Sequence, residues 1–262
     1  PDLIASHGHT IFHQPDKKMT FQLGSGAEIA AINQLPVACD FRTLDVALGG
    51  QGAPLVPIGD EMLFGNYRYC LNLGGIANIS FREKNNRIAY DICAVNIVLN
   101  ELSSIAGKKF DNEGEMARSG KMIPQMASEL DALTYYKERP PKSLGKEWVL
   151  KEVFPIIDRY KDQLHDCMHT FVSHIGNQIG KQMSEAGDCL VTGGGAYNTF
   201  LLEMIRANTN VNVVAGSPSL IEYKEALIFG LLGLRRFLNA PNALASVTGA
   251  KRDNCGGAIY FG

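Results

Sequence analysis

The sequence predicts a mixed α/β fold, and three observations carry the prediction. Short apolar runs of strand length alternate along the chain with longer segments whose apolar residues recur every three or four positions. Glycine pairs and one glycine triplet separate several of these segments, as expected for tight connections between elements. The 262 residues, 45% of them hydrophobic, suffice for one large domain or for two small domains, each with its own core.

The first 62 residues alternate short apolar runs with turns. The predicted elements are strands at Leu3–Ser6, Met19–Leu23 and Leu35–Cys39, with a short helix at Gly26–Asn33. A different pattern follows, with predicted strands at Tyr69–Leu73, Ala77–Arg82 and Ile88–Asp91. Only a few residues separate these last three strands, so they are antiparallel neighbours. Three antiparallel strands followed by helices open the ribonuclease H-like fold, although many α+β domains begin in the same way.

The remainder of the chain is predicted to be mainly helical. The predicted helices are Asn96–Ile105, Asn112–Ser119, a long one over 157–183, Tyr197–Asn208 and Glu222–Leu238, and the predicted strands are Asp188–Thr192 and Val211–Val214. A proline pair at Pro140-Pro141 breaks the helical pattern.

Charge and cysteine content exclude several functional classes. The net charge of -2 gives no basic surplus for nucleic acid. The apolar runs are too short to span a membrane, and no basic segment of a signal peptide opens the chain. The six cysteines are scattered without CxxC spacing, which predicts reduced thiols and a cytoplasmic location.

An acidic block follows the apolar run Leu35–Cys39. Asp40 and Asp45 precede a Gly-Gly-Gln-Gly-Ala-Pro turn. An acid at the carboxyl end of a buried strand lies where α/β enzymes bind ligands, and its carboxylate can take a proton from a substrate hydroxyl. The alternative is that both acids cap turns and helices.

A second candidate site is the triplet Gly193-Gly194-Gly195, which joins a predicted strand to a helix. Glycines allow a ligand to approach the backbone, and a helix amino end offers N–H groups to an anion. The alternative is a plain tight turn. No Gly-Lys-Ser/Thr follows, so the segment is not a P-loop.

Two further sets of polar residues have competing interpretations. His7 and His9, with His13 nearby, have the spacing of a metal site in a hydrolase, although ordinary histidines at a strand end explain them as well. Glu225 lies on an otherwise apolar helix, either as a ligand-binding carboxylate or as a solvated first-turn glutamate.

Seven ordered segments together resemble the anhydro-N-acetylmuramic acid kinases, cell-wall recycling enzymes of the sugar-kinase, actin and Hsp70 superfamily. They include Ser6-His7-Gly8-x-Thr10, the block from Asp40 to Leu55, and the triplet with Asn198, which matches the family's Gly-Gly-Gly-Ala-x-Asn adenosine motif. The full set covers residues 6–10, 40–55, 72–80, 110–120, 140–147, 193–198 and 224–226.

This resemblance implies an actin-like ATPase (ribonuclease H-like) fold. Residues 1–62 are then the C-terminal part of the first actin-like domain, residues 63–262 are the second domain, and the active cleft lies between them. Members of the family are longer, and the chain resembles them from about their second quarter onward. Their first phosphate loop, a Gly-Thr-Ser-x-Asp-Gly motif, has no counterpart in this sequence.

The implied function is an ATP- and Mg2+-dependent kinase that hydrolyses and phosphorylates anhydro-N-acetylmuramic acid. Asp45 is then the general base, and Glu225 and His7 hold the sugar. Gly193, Gly194, Gly195 and Asn198 line the nucleotide. The family also implies a homodimer.

One segment departs from the family pattern. Asp91-Ile92-Cys93-Ala94-Val95-Asn96 stands where the family has its second phosphate loop, Asp-Thr-Gly-Pro-Gly-Asn. Asp91 and Asn96 match and are expected to contact the nucleotide or its magnesium, whereas Cys93 and Val95 replace both glycines and are expected to push phosphate outward. A non-catalytic or truncated sugar-binding relative is therefore the alternative function, and a metal-dependent hydrolase built on His7 and His9 is a further one.

Overall fold

A computed structural model describes all residues from Pro1 to Gly262 and divides the chain into two compact units. Unit 1 comprises Pro1–Gly65, Phe81–Ala89 and Tyr223–Gly262, and unit 2 comprises Asn66–Ser80 and Tyr90–Glu222. The division into domains 1–62 and 63–262 stays a prediction. Within unit 1, the C-terminal residues pack with the first segment of the chain.

The strands, numbered in chain order, are β1 (Ile4–Ser6), β2 (His9–Gln14), β3 (Met19–Leu23), β4 (Val37–Cys39), β5 (Tyr69–Leu73), β6 (Ile76–Glu83), β7 (Asn86–Ala94), β8 (Asp188–Thr192), β9 (Asn212–Ala215) and β10 (Ala258–Tyr260). The α-helices are α1 (Gly26–Asn33), α2 (Thr43–Ala47), α3 (Pro57–Leu63), α4 (Asn96–Ile105), α5 (Glu115–Ser119), α6 (Pro124–Asp131), α7 (Lys146–Trp148), α8 (Phe154–Ile157), α9 (Leu164–Gly180), α10 (Thr199–Ala207), α11 (Pro218–Phe237) and α12 (Ala245–Thr248). None of these helices is both long and apolar enough to cross a membrane.

Unit 2 is built on a five-stranded sheet with the order β7-β6-β5-β8-β9. Two-residue connections join β5 to β6 and β6 to β7, so these three strands are antiparallel. Strands β8 and β9 continue the sheet in parallel with β5. Three antiparallel strands followed by two parallel ones form a ribonuclease H-like sheet, and the predicted mixed α/β fold class is thereby confirmed.

The central strands of unit 2 are covered on both faces, as parallel strands require. Leu71 and Leu73 of β5 and Val191 of β8 are completely buried. Helix α9 contributes a buried apolar stripe that includes Phe171 and Ile175. This packing holds the carboxyl ends of β5 and β8 in fixed positions, and the glycine segments follow those ends.

Unit 1 contains a small sheet with the order β1-β4-β10, in which β1 runs parallel and β10 antiparallel to β4. Helix α11 covers it. Ile228, Phe229 and Leu232 of that helix join a buried apolar cluster with Ala38 and Phe41. This cluster is the physical reason why the C-terminal residues belong to unit 1.

The structure differs from the predicted elements at several places. The long helix expected over 157–183 is two helices, because Asp158–Gln163 forms tight turns between α8 and α9. Its apolar spacing continues through the break, so periodicity alone gave no sign of it. Strand β2 was not predicted, because its residues are mostly exposed and it is held by pairing with β3 rather than by a buried face.

Candidate active site

A polar cluster in unit 1 centres on His7 and Arg42. The Nε and Nη2 atoms of Arg42 lie 3.1 and 2.9 Å from Nε2 of His7, and its Nη1 donates to the carbonyl of Gly52 at 2.6 Å. Arginine has donors only, so Nε2 of His7 is the unprotonated acceptor. Burial, and then the charge of Arg42, lower the pKa of His7 below its usual value. His7 is therefore a neutral ring that fixes the guanidinium.

Glu225 faces this cluster from helix α11. Its carboxylate is close enough to raise the pKa of His7 and that of Arg42 against the lowering effect of burial. Phe229, one turn further along the helix, packs its ring 4.5 Å from the ring of His7. The side chain of Glu225 is exposed. The structure thus places the two predicted sugar-binding residues in one neighbourhood, which also contains Arg42.

His13 lies near His7 and Arg42, but these histidines, including His9, do not form a metal site. Burial, and then Arg42, lower the pKa of His13. The ring of His13 also lies against Gly52, where a Cβ would approach it to 3.4 Å. No group of three His, Cys, Asp or Glu side chains in the chain could hold a metal ion. Positive charge beside the histidines, rather than a ring of ligands, defines this site.

Asp45 is completely buried in helix α2. Its Oδ1 accepts hydrogen bonds from Thr248 Oγ1 at 2.8 Å and Asn254 Nδ2 at 2.7 Å, and its Oδ2 accepts from the N–H of Gly52 at 2.8 Å. A Cβ at Gly50 would overlap Oδ2. The carboxylate joins the glycine turn to the segment near the C-terminus, and this is the turn-holding role that the sequence left as the alternative.

In unit 2 the glycine triplet follows strand β8. Gly193 has a φ of +80°, and a Cβ there would lie 2.5 Å from Oδ1 of Asn72 and 2.9 Å from the backbone of Leu73. A Cβ at Gly195 would lie 2.7 Å from the Cβ of Leu73. Packing against the end of β5 therefore explains both of these glycines. Gly194 differs, because it is exposed and its Cβ would meet only Nδ2 of Asn96, at 4.0 Å.

Asn198, predicted to line the nucleotide, caps helix α10. Its Oδ1 accepts from the N–H of Leu201 at 2.9 Å, and the residue is 8% exposed. A side-chain oxygen at this position satisfies one of the unpaired donors of a helix amino end. The structure gives Asn198 this local task beside the glycine triplet, and its contact with a nucleotide stays a prediction.

Residues 91–96, which stand in place of the family's second phosphate loop, are held by backbone hydrogen bonds and by burial of most of their side chains. Cys93 and Val95 are completely buried, so their side chains point into the core and do not push a ligand outward. The N–H groups of Val95, Asn96 and Ile97 donate to the carbonyls of Gly74 and Gly75. The first N–H groups of α4 are therefore already used. The expectation that Cys93 and Val95 push phosphate outward is not met, because both side chains are buried in the core.

Asp91 and Asn96 flank that segment in different environments. Oδ2 of Asp91 accepts from the N–H of Leu144 at 2.9 Å, and Nδ2 of Asn96 donates to the carbonyl of Leu73 at 3.1 Å. Burial raises the pKa of Asp91, with the Leu144 hydrogen bond acting against it. Asp91 is nevertheless partly exposed, unlike Asp45. A carboxylate with a raised pKa and access to solvent is suited to proton transfer.

Comparison with known proteins agrees with the arrangement of these segments. The family model described as anhydro-N-acetylmuramic acid kinase matches residues 2–262. The chain belongs to the anhydro-N-acetylmuramic acid kinase family. A member from Aliivibrio fischeri is 36% identical over 98% of this chain and 74% of its own length, and one from Francisella tularensis subsp. novicida is 35% identical over the same shares.

The kinase family is thus the class of enzyme to which the chain belongs, and this confirms the resemblance inferred from the ordered segments. Among solved structures, an activator of 2-hydroxyisocaproyl-CoA dehydratase from Clostridium difficile with bound ADPNP is 14% identical and covers 66% of each chain at a TM-score of 0.42.

Several site residues escaped sequence reasoning. Arg42 was seen only as part of a matching block, and nothing in its spacing showed that it would bind His7 across 35 positions. Thr248 and Asn254 carry no motif, yet they hold Asp45. The Gly74-Gly75 turn was the one signal available: two glycines between strands mark a close backbone approach, which here serves the start of α4.

Proposed function

We propose that the chain is an ATP-dependent kinase that converts anhydro-N-acetylmuramic acid to N-acetylmuramic acid 6-phosphate in cell-wall recycling. The observation that carries the proposal is the match to the kinase family over nearly the whole chain, at 36% identity to one member. The clusters around Arg42 and Gly194 support it independently, because they supply chemistry suited to an acidic sugar and to a nucleotide.

The proposed reaction couples hydrolysis to phosphoryl transfer. The oxygen of a water molecule bonds to the anomeric carbon as the bond from that carbon to the bridging O6 breaks. O6 takes the γ-phosphoryl group, ADP leaves, and a carboxylate of the protein accepts the proton that water releases. Electrostatic stabilisation and positioning supply most of the rate enhancement in phosphoryl transfer.

The cluster in unit 1 is proposed to bind the sugar. Muramic acid carries a carboxylate, and a guanidinium is the side chain best matched to that group. His7 and Gly52 fix Arg42 through hydrogen bonds, so little conformational freedom is lost when the ligand binds. Glu225, exposed beside them, is suited to accept hydrogen bonds from sugar hydroxyls.

Gly194 is proposed as the point where the nucleotide approaches the backbone, supported by Gly193 and Gly195. Packing explains the flanking glycines but leaves Gly194 without a structural reason. Asn198 and Asn96 adjoin this loop and remain the proposed nucleotide contacts. A Cβ at Gly194 would stand in otherwise open space, where a flat ligand can pack against the backbone.

The general base is the part of the proposal that the geometry changes. Asp45 was the expected base, but it has no exposed surface and already accepts three hydrogen bonds. Asp91 is partly exposed, and burial raises its pKa above the usual value for a carboxyl group. A carboxylate with a raised pKa is a better proton acceptor. We therefore propose Asp91 for proton transfer and keep Asp45 as the competing candidate.

Magnesium is proposed to accompany the nucleotide. Because no three-ligand group exists in the chain, phosphate oxygens and water would supply most of its coordination, as is usual for this ion. Coordination of the ion by Asp91 is the alternative to its role in proton transfer, because one of its oxygens is held by Leu144 and the other cannot both bind a cation and accept a proton. When bound, magnesium offsets the negative charge of the phosphates.

The test is phosphate transfer from labelled ATP to anhydro-N-acetylmuramic acid by the 262-residue chain and by two variants. Asp91→Asn keeps an oxygen for Leu144 and should remain folded while transfer falls by at least about a hundredfold. Asp45→Asn should lose activity in proportion to its loss of stability. A folded Asp45→Asn variant without activity, beside an active Asp91→Asn variant, would reverse the assignment.

A non-catalytic sugar-binding relative is the second candidate function. It is favoured by the start of α4, whose first N–H groups are occupied by Gly74 and Gly75 and are not available to phosphate. Calorimetric binding of the sugar without any binding of ATP would support this candidate and contradict the kinase proposal. A zinc-dependent hydrolase at His7 and His9 has no supporting ligand set.

We also propose a cytoplasmic location and a homodimer for this kinase. All six cysteines are free, which suits a reducing compartment where ATP is available. The dimer rests on the family resemblance alone, and light scattering of the purified chain tests it: a mass near 28.6 kDa would contradict it.

A further inference from the structure

A buried ion pair joins helices α3 and α11 close to the proposed sugar site. Nζ of Lys224 lies 2.7 Å from Oδ1 of Asp60, and their side chains are only 8% and 5% exposed. Arg87, also buried, lies 3.9 Å from the second carboxylate oxygen. Replacing a buried ion pair by apolar side chains is often neutral or stabilising, so such a pair is weak evidence of stability and calls for another explanation.

The face of α11 that carries Lys224 also packs closely against α3. A Cβ at Gly59 would lie 2.5 to 2.8 Å from three atoms of Ile228, so α3 and α11 are in direct contact at this point. Ile228 is one turn after Lys224, and residues four apart share a helix face. One face of α11 is therefore fixed against α3 by a charge pair and by close packing.

The adjacent face of α11 carries Glu225 and Phe229, also one turn apart. Phe229 packs on the ring of His7, and Glu225 acts on the charges of His7 and Arg42. Consecutive residues of a helix are about 100° apart around its axis, so the contact made by one face sets the direction of the other. A carboxylate about 6 Å from the axis moves about 1 Å for every 10° of helix rotation.

We propose that Asp60 and Lys224 are positioning residues for Glu225, and that their buried pair sets the rotation of α11 that aims this carboxylate at His7 and Arg42. This inference rests on the proposed function only where sugar binding is used as a readout. Neither Asp60 nor Lys224 touches the sugar in this proposal. Their effect is exerted through the helix.

The experiment compares three forms of the full chain: wild type, Glu225→Gln, and the double variant Asp60→Leu/Lys224→Met. The double variant removes both charges of the pair together, so neither is left unpaired, and Arg87 keeps the carboxylate of Glu61, which lies 3.4 Å away. For each form, NMR titration gives the pKa of His7, and calorimetry with anhydro-N-acetylmuramic acid gives the affinity. Thermal unfolding gives stability, with Leu71→Ala in unit 2 as a variant destabilised elsewhere.

Glu225→Gln should lower the pKa of His7, because it removes the carboxylate that raises it. The double variant should lower that pKa in the same direction and weaken sugar binding by at least about tenfold, the usual cost of a misaligned charge-assisted hydrogen bond. Leu71→Ala should change stability alone. A folded double variant with the wild-type His7 titration and wild-type affinity would overturn the proposal.

Two further outcomes are separable. If the wild-type chain does not bind the sugar, the proposed function fails, and the His7 titration still decides the positioning role. If the double variant does not fold, Lys224→Arg takes its place: it keeps the charge but lengthens the side chain against Asp60. It should lower the pKa of His7, and an unchanged titration would overturn the proposal.

Discussion

The clearest prediction concerns Asp45→Asn, which should destabilise unit 1. Asp45 is completely buried and accepts three hydrogen bonds of 2.7 to 2.8 Å. Asparagine retains one oxygen and introduces an NH2 group. If that group takes the place of Oδ2 it faces the N–H of Gly52, and if it takes the place of Oδ1 it faces the NH2 group of Asn254. In either orientation, two hydrogen-bond donors face each other.

The magnitude follows from those contacts. At least one hydrogen bond to a charged group is lost, worth about 1.5–3 kcal/mol, and a buried donor is left unsatisfied at about 1–3 kcal/mol. Because the two contributions overlap, we expect the free energy of unfolding to fall by about 3 kcal/mol. For a chain of this size that corresponds to a decrease in Tm of about 6–12 °C.

The assay is urea denaturation followed by circular dichroism, with Asp40→Asn as the matched control. Asp40 is exposed and has a φ of 57°, a conformation that asparagine adopts readily. Its Oδ1 accepts from Thr43 at 2.5 Å, and an amide oxygen can accept the same bond. The control should therefore change stability by less than about 0.5 kcal/mol. Equal stabilities of the two variants would refute the role assigned to the Asp45 network.

Three other predictions can be tested with single variants and matched controls. Gly193→Ala should lower the free energy of unfolding by at least about 2 kcal/mol, because the positive φ and the close neighbours of Gly193 exclude a Cβ. The control Gly230→Ala, at an open helix position, should raise it by about 0.5–1 kcal/mol, and urea denaturation measures both. Burial lowers the pKa of His174, so as the pH drops below about 6.5 the unfolded chain binds a proton more readily than the folded chain and the free energy of unfolding decreases. His174→Gln should flatten this pH dependence, whereas the control His165→Gln, exposed on the same helix, should retain it; urea denaturation at several pH values measures both. Arg42→Lys should weaken sugar binding by about tenfold in calorimetry, since lysine cannot reproduce the planar set of donors, and an unchanged affinity would remove the guanidinium from the sugar site.

Local pattern was enough to predict most elements of the chain. Strands β3, β5 and β8 and helices α1 and α4 have the predicted bounds. Apolar spacing and glycine position are local properties, and these elements depend on little else. Strand β2 is mostly exposed and is held by pairing with β3, and the apolar spacing continues through the break between α8 and α9, so apolar spacing could show neither of them.

For the site, the order of residue types along the chain is enough to identify the family. The environments of those residues depend on the folded structure. Asp45 and Asp91 are both acids at or near predicted strands. Asp45 is completely buried and bonded to Thr248 and Asn254, whereas Asp91 lies within β7 and keeps a partly exposed carboxylate. The pairing of Arg42 with His7 is of the same kind. Burial, charge and hydrogen bonding at a residue arise from segments far away in the chain, which fold back to meet it only in three dimensions.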